Sequence, residues 1–171
     1  MSLHDQLEFD EDKKPYPYKD GEGLWTVGVG RLIDATKGAG LSEDEIVYLL
    51  NNKKRKCYPA SKKYPYQDAP EFWNVPLTED DIQYLLANDI QEKMNDCYRV
   101  FPNFGHLTPA RQDALTNLMF NLGIGHMSSY HTLIGQVAEE DWLAVQSNMR
   151  GWVKWKRQVG LRADRIISAL G

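Results

Sequence analysis

Two acidic residues near the start of the chain have the types that glycosidic chemistry requires. Glu11 stands at the expected end of a first helix, and Asp20 follows after eight intervening residues in an expected hairpin turn. Hydrolysis of a glycosidic bond uses one protonated carboxyl, which donates to the leaving oxygen, and one carboxylate on the anomeric side. Because acidic residues are also common at helix ends and in Asp-Gly turns, the pair alone leaves an ordinary structural role open.

A short helix and a small antiparallel sheet are expected to position these carboxylates. Leu3 and Leu7 have the apolar spacing of a helix that ends near the first carboxylate. Residues 16–33 predict the sheet, with a turn in DGEG and with β-branched and aromatic residues in WTVGVGRLI. Within that run, Gly28 and Gly30 predict a bend or a close backbone approach.

The rest of the chain is predicted to be mostly helical. Ser42 begins a helix that continues to about Lys56, and Thr78 begins another that continues to about Tyr98, both with acidic first turns. A proline-rich insert at residues 57–76 lies between them. Further helices are expected at about 108–122, 128–137, 139–149 and 160–170. A small β-containing part and a larger helical part predict the α+β class.

The amino-acid composition limits the classes of function that the protein can have. The 171 residues are 42% hydrophobic and 26% charged, as in one soluble domain, and the net charge of -4 does not indicate a nucleic-acid partner. No segment approaches the roughly 18 to 20 apolar residues of a membrane span.

The polar start MSLHDQLEFDED predicts no signal peptide, so synthesis in a cytoplasm is expected. Cys57 and Cys97 are expected to be free thiols there. The histidines lack metal-ligand spacing, so neither a metal nor a cofactor is expected.

The spacing becomes specific once Thr26 is included. Glu11, Asp20 and Thr26 form E-x8-D-x5-T, set within YKDGEG and TVGVG. This pattern resembles the signature of the phage-type lysozyme (endolysin) family, glycoside hydrolase family 24, on its first helix and hairpin. Downstream, LTEDDIQYLLANDI resembles the long connecting helix of that family, and WKRQVGLRADR resembles its W-x-x-Q-x-x-x-R-A-x-R segment. The likeness covers most of the chain and is interrupted mainly at residues 57–76.

The resemblance implies a lysozyme-like fold, with a small hairpin-containing N-terminal lobe and a larger helical C-terminal lobe joined by a long helix. In a single domain spanning 1–171, the small lobe would take about 12–76 and the connecting helix about 77–98. The helical lobe would take 99–171 together with 1–11.

The implied activity is inverting hydrolysis of the β-1,4 bond between N-acetylmuramic acid and N-acetylglucosamine in peptidoglycan. Glu11 would be the general acid, with its proton retained by partial burial against a nearby Arg162. Asp20 would orient or activate water or stabilise the oxocarbenium-like transition state, and Thr26 would hold that water. The resemblance also assigns substrate binding to Arg31, Leu32, Asn121 and Arg162.

The chain departs from the family pattern in several places. Arg31 stands where a family member has a histidine paired with an aspartate, and Asp89 matches that aspartate. We therefore predict an Arg31–Asp89 ion pair, which would keep its positive charge near neutral pH. Asn121 replaces a glutamine, and the chain stops soon after Arg165, so a final helix is expected to be shortened or absent.

Three other functions stay open at this point. A lytic transglycosylase uses one acid and forms an anhydro product, which the presence of Asp20 and Thr26 argues against. A catalytically silent wall-binding module would not use the carboxylates. A structural component, such as the lysozyme domain of a phage tail, is expected to be fused to further domains, for which this chain has no room.

The expected partner is the glycan strand of peptidoglycan, bound by a monomer, with no nucleic acid and no stable membrane insertion. Residues 150–165 carry six basic residues against one acid, which fits either a solvated basic helix or attraction to an anionic wall. Trp25 and Trp73 are the better candidates for stacking on sugar. As an endolysin, the protein would stay in the host bacterial cytoplasm until a holin lets it reach the periplasm and cell wall. The lack of a separate wall-binding domain favours a Gram-negative host.

Overall fold

The computed structural model describes residues 1–34, 40–53 and 76–171. These residues form two compact units, Ser2–Asp89 and Ile90–Gly171 together with Met1. The proline-rich insert, with Cys57 and Trp73, lies outside the described residues except for its last position.

The first unit combines helices with a small sheet. Its elements are α1 (Leu3–Glu11), β1 (Lys13–Lys19), β2 (Trp25–Val29), β3 (Arg31–Leu32), α2 (Glu43–Lys53) and the first part of α3 (Glu79–Val100). The second unit is helical. It contains the end of α3, a 3-10 turn (Phe104–His106), α4 (Pro109–Met127), α5 (His131–Ala138), α6 (Trp142–Arg150), α7 (Val153–Val159) and α8 (Leu161–Ala169). These elements confirm the predicted α+β class. The finer lobe boundaries, with 1–11 grouped with 99–171, stay a prediction.

Helices of the first unit begin at reciprocal hydrogen bonds between a hydroxyl residue and an acid three positions later. At α1, the Ser2 amide donates to the Asp5 carboxylate at 3.0 Å, and the Asp5 amide donates to the Ser2 hydroxyl at 3.2 Å. The same exchange joins two further pairs, Ser42 with Glu45 and Thr78 with Asp81. Each such cap contributes about 0.5–2 kcal/mol to helix stability. The predicted helix starts at Ser42 and Thr78 are confirmed.

The sheet has the antiparallel order β1-β2-β3. It begins at Lys13, before the expected start at Tyr16, and so includes Pro15 and Pro17. Both prolines are tolerated because β1 is an outer strand of the described sheet and its register with β2 shifts in this segment. The Pro15 carbonyl instead accepts a hydrogen bond from the Leu77 amide at 2.9 Å.

Buried apolar residues anchor α1 and β2 within the first unit. Leu7 of α1 and Val27 of β2 are fully buried, as are Ile33 and Leu49. Full burial of each such side chain contributes about 1.5–3 kcal/mol. The predicted first helix is therefore confirmed, and its buried leucines fix the position of Glu11 at its last turn.

The second unit is built around one apolar cluster. Its fully buried members include Phe101, Phe104, Leu115, Leu118, Met119, Met127, Leu133, Val137, Val145 and Met149. Helix α4 was expected to end before Gly123; the backbone is indeed non-helical there, with φ 75°, but helix resumes and continues to Met127. Helix α7 was not among the predicted helix ranges, although it lies within residues 150–165, for which a solvated basic helix was one of the two interpretations. Across the described parts of the chain, none of the helices combines the length and apolar character that a membrane crossing needs.

Candidate active site

An open groove of about 550 Å³ is formed by the C-terminal end of α1, strand β1 and the turn that follows it. Its lining residues are Phe9, Asp10, Glu11, Asp12, Lys14, Tyr18, Lys19, Asp20 and Gly21. The groove brings together Glu11 and Asp20, the two carboxylates that the sequence nominates as a pair. Both side chains belong to half-buried residues, so they are accessible from the groove while their backbone is held by the fold.

Glu11 is held against a glycine that no other residue can replace without strain. Gly30, between β2 and β3, has φ +63°, a left-handed conformation that side chains rarely adopt. A Cβ atom at this position would lie 3.0 Å from Glu11 Oε2 and 3.1 Å from Glu11 Cβ. The predicted close approach in the glycine-containing strand segment is therefore confirmed, and its neighbour is the candidate general acid.

Asp20 is fixed by the backbone of its own turn. Its Oδ1 accepts hydrogen bonds from the amides of Glu22 at 2.8 Å and Leu24 at 2.9 Å. The Asp20 amide in turn donates to the Leu24 carbonyl at 2.9 Å. Within the described residues, no hydrogen bond engages Oδ2. One oxygen thus sets the orientation of the carboxylate, and the other is available to a ligand.

Thr26 is connected to Asp20 through the same turn. It lies in β2, is 4% exposed, and its hydroxyl donates to the Leu24 carbonyl at 3.3 Å. In the sheet, Thr26 pairs with Tyr18, which lines the groove. The hydroxyl oxygen keeps its acceptor capacity while its proton is used by the backbone. Its assignment as a water ligand stays a prediction.

Tyr18 and Lys14 are groove residues that sequence reasoning missed. Burial raises the pKa of Tyr18, and the negative charges of Asp12, Glu11 and Asp20 raise it further. The Lys14 ammonium lies 4.2 Å from the centre of the Tyr18 ring and 3.8 Å from Asp12 Oδ2. The sequence did contain a signal for both residues. Side chains of a strand alternate between its faces, so the even-numbered positions of β1 share one face.

Arg31 forms the predicted ion pair with Asp89. Its Nη1 lies 2.6 Å from Asp89 Oδ1, which confirms that prediction. The structure adds a second carboxylate that was not anticipated, because Nη2 donates to Glu45 Oε1 at 2.9 Å and to the Gly40 carbonyl at 3.1 Å. The Arg31 side chain is 15% exposed. Leu32 is half-buried in β3. The substrate-binding roles of both residues stay predictions.

Asn121 and Arg162 belong to the unit Ile90–Gly171. Asn121 accepts a hydrogen bond from the Trp155 indole at 2.8 Å. Arg162 is 6% exposed and its Nε donates to the Asn117 side-chain oxygen at 2.8 Å. Their assigned substrate contacts also stay predictions.

Among the residues that the structure describes, no group of three or more histidine, cysteine, aspartate or glutamate side chains is arranged to hold a metal ion. The groove itself is lined by carboxylates and their polar neighbours. One carboxyl group at a helix end and one carboxylate held by backbone amides line the same open groove. Such a pair is what glycoside hydrolases use, which favours that class of enzyme.

Comparison with known proteins agrees with this class. The phage lysozyme family model matches residues 68–165, more than half of the chain, and the chain belongs to that family. It is 26% identical over 169 residues to the probable T4-type lysozyme 1 of Dictyostelium discoideum, covering 99% of this chain and 93% of that protein. It is 27% identical over 168 residues to the probable T4-type lysozyme 2 of the same organism, covering 98% and 92%.

A third relative is a larger protein. The chain is 25% identical over 171 residues to the pre-baseplate central spike protein Gp5 of Enterobacteria phage T4, covering 97% of this chain and 27% of that protein. Together with the family match, these relatives confirm the predicted family, the lysozyme-like fold and the enzyme class. The protein is a lysozyme-type glycosidase that hydrolyses peptidoglycan.

Proposed function

We propose that the protein is a muramidase that cleaves the β-1,4 bond between N-acetylmuramic acid and N-acetylglucosamine. The observation that carries this proposal is the groove that Glu11 and Asp20 both line. In this proposal Glu11 is the general acid and Asp20 acts on the attacking water. The spacing of these residues with Thr26, E-x8-D-x5-T, supports the assignment.

The proposed step is a single displacement with inversion. Glu11 gives its proton to the glycosidic oxygen, the bond from that oxygen to the anomeric carbon breaks, and water forms a new bond to that carbon. Asp20 Oδ2 accepts the proton that the water loses, while Oδ1 stays bonded to the two backbone amides. Thr26 would hold the water with the acceptor capacity of its hydroxyl. A second turnover requires Asp20 to lose its proton and Glu11 to regain one.

Paired substitutions test these roles. Glu11→Gln and Asp20→Asn should each reduce the rate of muropeptide release from purified sacculi by at least about a hundredfold, since each removes a proton-transfer group. Glu22→Gln is the matched control, because Glu22 is an exposed acid in the same turn. Near wild-type release by folded Glu11→Gln protein would reject the general-acid assignment.

The products distinguish the reaction types. Hydrolysis should yield reducing N-acetylmuramic acid ends, and NMR at early times should show the inverted anomer. Anhydro ends detected by mass spectrometry would identify a transglycosylase instead. Binding to sacculi without any product would identify a wall-binding module.

We also propose that this activity serves host lysis as a phage endolysin, held in the bacterial cytoplasm until a holin opens the membrane. The membership in the phage lysozyme family supports this setting. Expression in the cytoplasm of a Gram-negative bacterium should leave cells intact until a membrane-permeabilising agent is added. Lysis without the agent would contradict the proposed dependence on a holin.

The match to a spike protein favours a second setting for the same activity. In that case the chain would be the lysozyme segment of a particle-associated protein. Its copurification with phage particles, rather than with the lysate supernatant, would support this alternative over the endolysin.

A further inference from the structure

Asp12, which directly follows Glu11 at the end of α1, has a backbone conformation that is normally adopted by glycine. Its φ of 64° and ψ of 151° lie in a region that residues with a Cβ atom rarely occupy. Among the residues that the structure describes, only Asp12 and Glu140 combine a side chain with a positive φ. An aspartate at position 12 therefore costs stability that a glycine would not cost.

The charge of Asp12 is also unfavourable at its place in the fold. The C-terminal end of a helix carries a partial negative charge, which disfavours an anion there. The last turn of α1 contains no basic residue that would offset this effect. Across the described ranges, the one ion pair of the Asp12 carboxylate is with Lys14 Nζ at 3.8 Å, which is longer than a hydrogen bond. Neither the backbone nor the helix end thus explains why this residue is an aspartate.

The fold holds the conformation of Asp12 from both sides. Leu7 is fully buried and fixes α1 before it. After it, Lys13 pairs with Val29 in the sheet, and the Lys13 ammonium lies 2.9 Å from Glu79 Oε1. Because the helix and the strand are both anchored, the residue that joins them has little freedom to relax. Strain that is kept in this way clusters at functional sites, so a role for the side chain is indicated.

The position of the Asp12 side chain places that role in the groove. Asp12 lines the same groove as Glu11 and Asp20, and its side chain is 78% exposed. Its charge acts on another groove residue, because the pKa of Tyr18, which is raised chiefly by burial, is raised further by Asp12 and more by Asp12 than by Glu11 or Asp20. The carboxylate is therefore accessible to a ligand that enters the groove.

We propose that Asp12 is a substrate-binding residue whose carboxylate accepts hydrogen bonds from hydroxyl or acetamido N–H groups of the glycan in the groove. The inference rests on the proposed function, since it concerns the same groove and the same substrate. Sugar rings present many such donors, and an ionised carboxylate accepts from them more strongly than a neutral group does. A glycine would relieve the backbone but would offer no acceptor. Binding of the glycan thus gives a reason for an aspartate that the fold alone disfavours.

Two substitutions of Asp12 separate its carboxylate from its backbone. Asp12→Ala removes the carboxylate but keeps a Cβ atom, whereas Asp12→Gly removes both. In a Glu11→Gln background, measured on ice by co-sedimentation with purified sacculi, each should raise the Kd about threefold to tenfold, since each removes the same hydrogen-bond acceptor. With Glu11 present, the loss in muropeptide release should appear as a raised KM rather than a lowered kcat. The Tm of Asp12→Gly should exceed that of Asp12→Ala by about 2–4 °C, because only glycine relieves the backbone.

Glu140→Gly is the matched control. Glu140 is an exposed acid with φ 54° that does not line the groove, so this variant makes the same change of charge and backbone elsewhere and should leave the Kd unchanged. An unchanged Kd in Asp12→Ala, equal weakening by Glu140→Gly, or a loss confined to kcat would each overturn the proposal. Equal Tm values for Asp12→Ala and Asp12→Gly would overturn its premise of backbone strain. Failure of the proposed function would show separately, as the absence of muropeptide release by the unmodified protein.

Discussion

Replacing Arg31 should destabilise the first unit strongly. Its guanidinium contacts Asp89 at 2.6 Å and Glu45 at 2.9 Å. The side chains of these two acids are only 11% and 4% exposed. Arg31→Met would keep much of the side-chain volume but leave two poorly hydrated carboxylates without this cation.

The size of the effect follows from this burial. Removing one partner of a buried ion pair costs about 3–5 kcal/mol in the free energy of unfolding. For a domain of this length, about 1 kcal/mol corresponds to roughly 2–4 °C in Tm, so the expected decrease is about 6–20 °C. An exposed ion pair would account for less than about 1 kcal/mol.

The stability lost on replacing Arg31 should depend on pH, in a direction set by the charges of its two partners. In Arg31→Met, protonation offsets the loss of this cation beside the two carboxylates, so the folded variant takes up protons more readily than the unfolded chain and its stability falls as pH rises. The loss relative to wild type should therefore be largest near neutral pH and smaller near pH 4. In Arg31→His, the carboxylates raise the pKa of the introduced histidine. Its stabilisation should be present below about pH 6.5 and be lost as pH rises through the raised value.

Urea unfolding of the three proteins between pH 4 and pH 9 measures these differences. Glu45→Gln/Asp89→Asn added to Arg31→Met should recover part of the lost stability, because it removes the two negative charges that this cation had balanced. A loss below about 1 kcal/mol in Arg31→Met at pH 7 would refute the reasoning, as would an equal loss at every pH.

Three further predictions concern the groove and the core. Gly30→Ala should lower kcat on sacculi at least about tenfold by displacing Glu11, and should cost about 1–2 kcal/mol of stability. Gly125→Ala, where a Cβ has open space, should do neither, and a fully active Gly30→Ala protein would contradict the positioning role. Glu11→Gln should lower the pKa of Tyr18 but leave it above its ordinary value, since burial is the larger cause. NMR titration of labelled tyrosine checks this, and an unchanged Tyr18 pKa would contradict their electrostatic contact. Burial raises the pKa of Cys97 to about 12, so with the other cysteine replaced by serine its thiol should react with a disulfide reagent at pH 8 only through unfolding. A rapid initial reaction of the Cys97 thiol in the native protein would contradict this prediction.

Helix starts were predictable because their causes are local. A hydroxyl residue and an acid three positions later exchange hydrogen bonds whatever the rest of the chain does, as at Ser42 and Thr78. The early start of β1 was not predictable in this way. Its prolines are compatible with a strand only at the outer position that the sheet assigns to β1.

The bounds of helix α7 were not predictable, for a tertiary reason. It spans only Val153–Val159, and Gly160 with φ 56° separates it from the following helix. A helix this short is not stable by propensity alone, since isolated helices of fewer than about 12 residues are marginal. Burial of Trp155 and its hydrogen bond to Asn121 hold it in place, and that contact joins residues far apart in sequence.

The candidate site also has a part that the sequence predicts and a part that it does not. Glu11 and Asp20 could be nominated from their spacing, and the structure brings them to one groove. Asp20 is held by its own turn, whereas the neighbour that constrains Glu11 is set by packing across the sheet. Gly30 meets Glu11 only because the segment after β2 returns to the end of α1, a contact that residue types alone do not specify.

Glu45 explains why half of the Arg31 network escaped prediction. Its Oε1 accepts from the Ser42 amide at 3.1 Å as part of the cap of α2, and that local role already accounts for an acid at this position. The same oxygen accepts from Arg31 at 2.9 Å. The forked guanidinium of arginine can donate to two carboxylates at once. A histidine has only two ring nitrogens, which lie on different sides of one flat ring. Arg31 therefore links β3 to the start of α2 as well as to α3. The link to α2 depends on the arginine that stands in this chain where the family pattern has histidine.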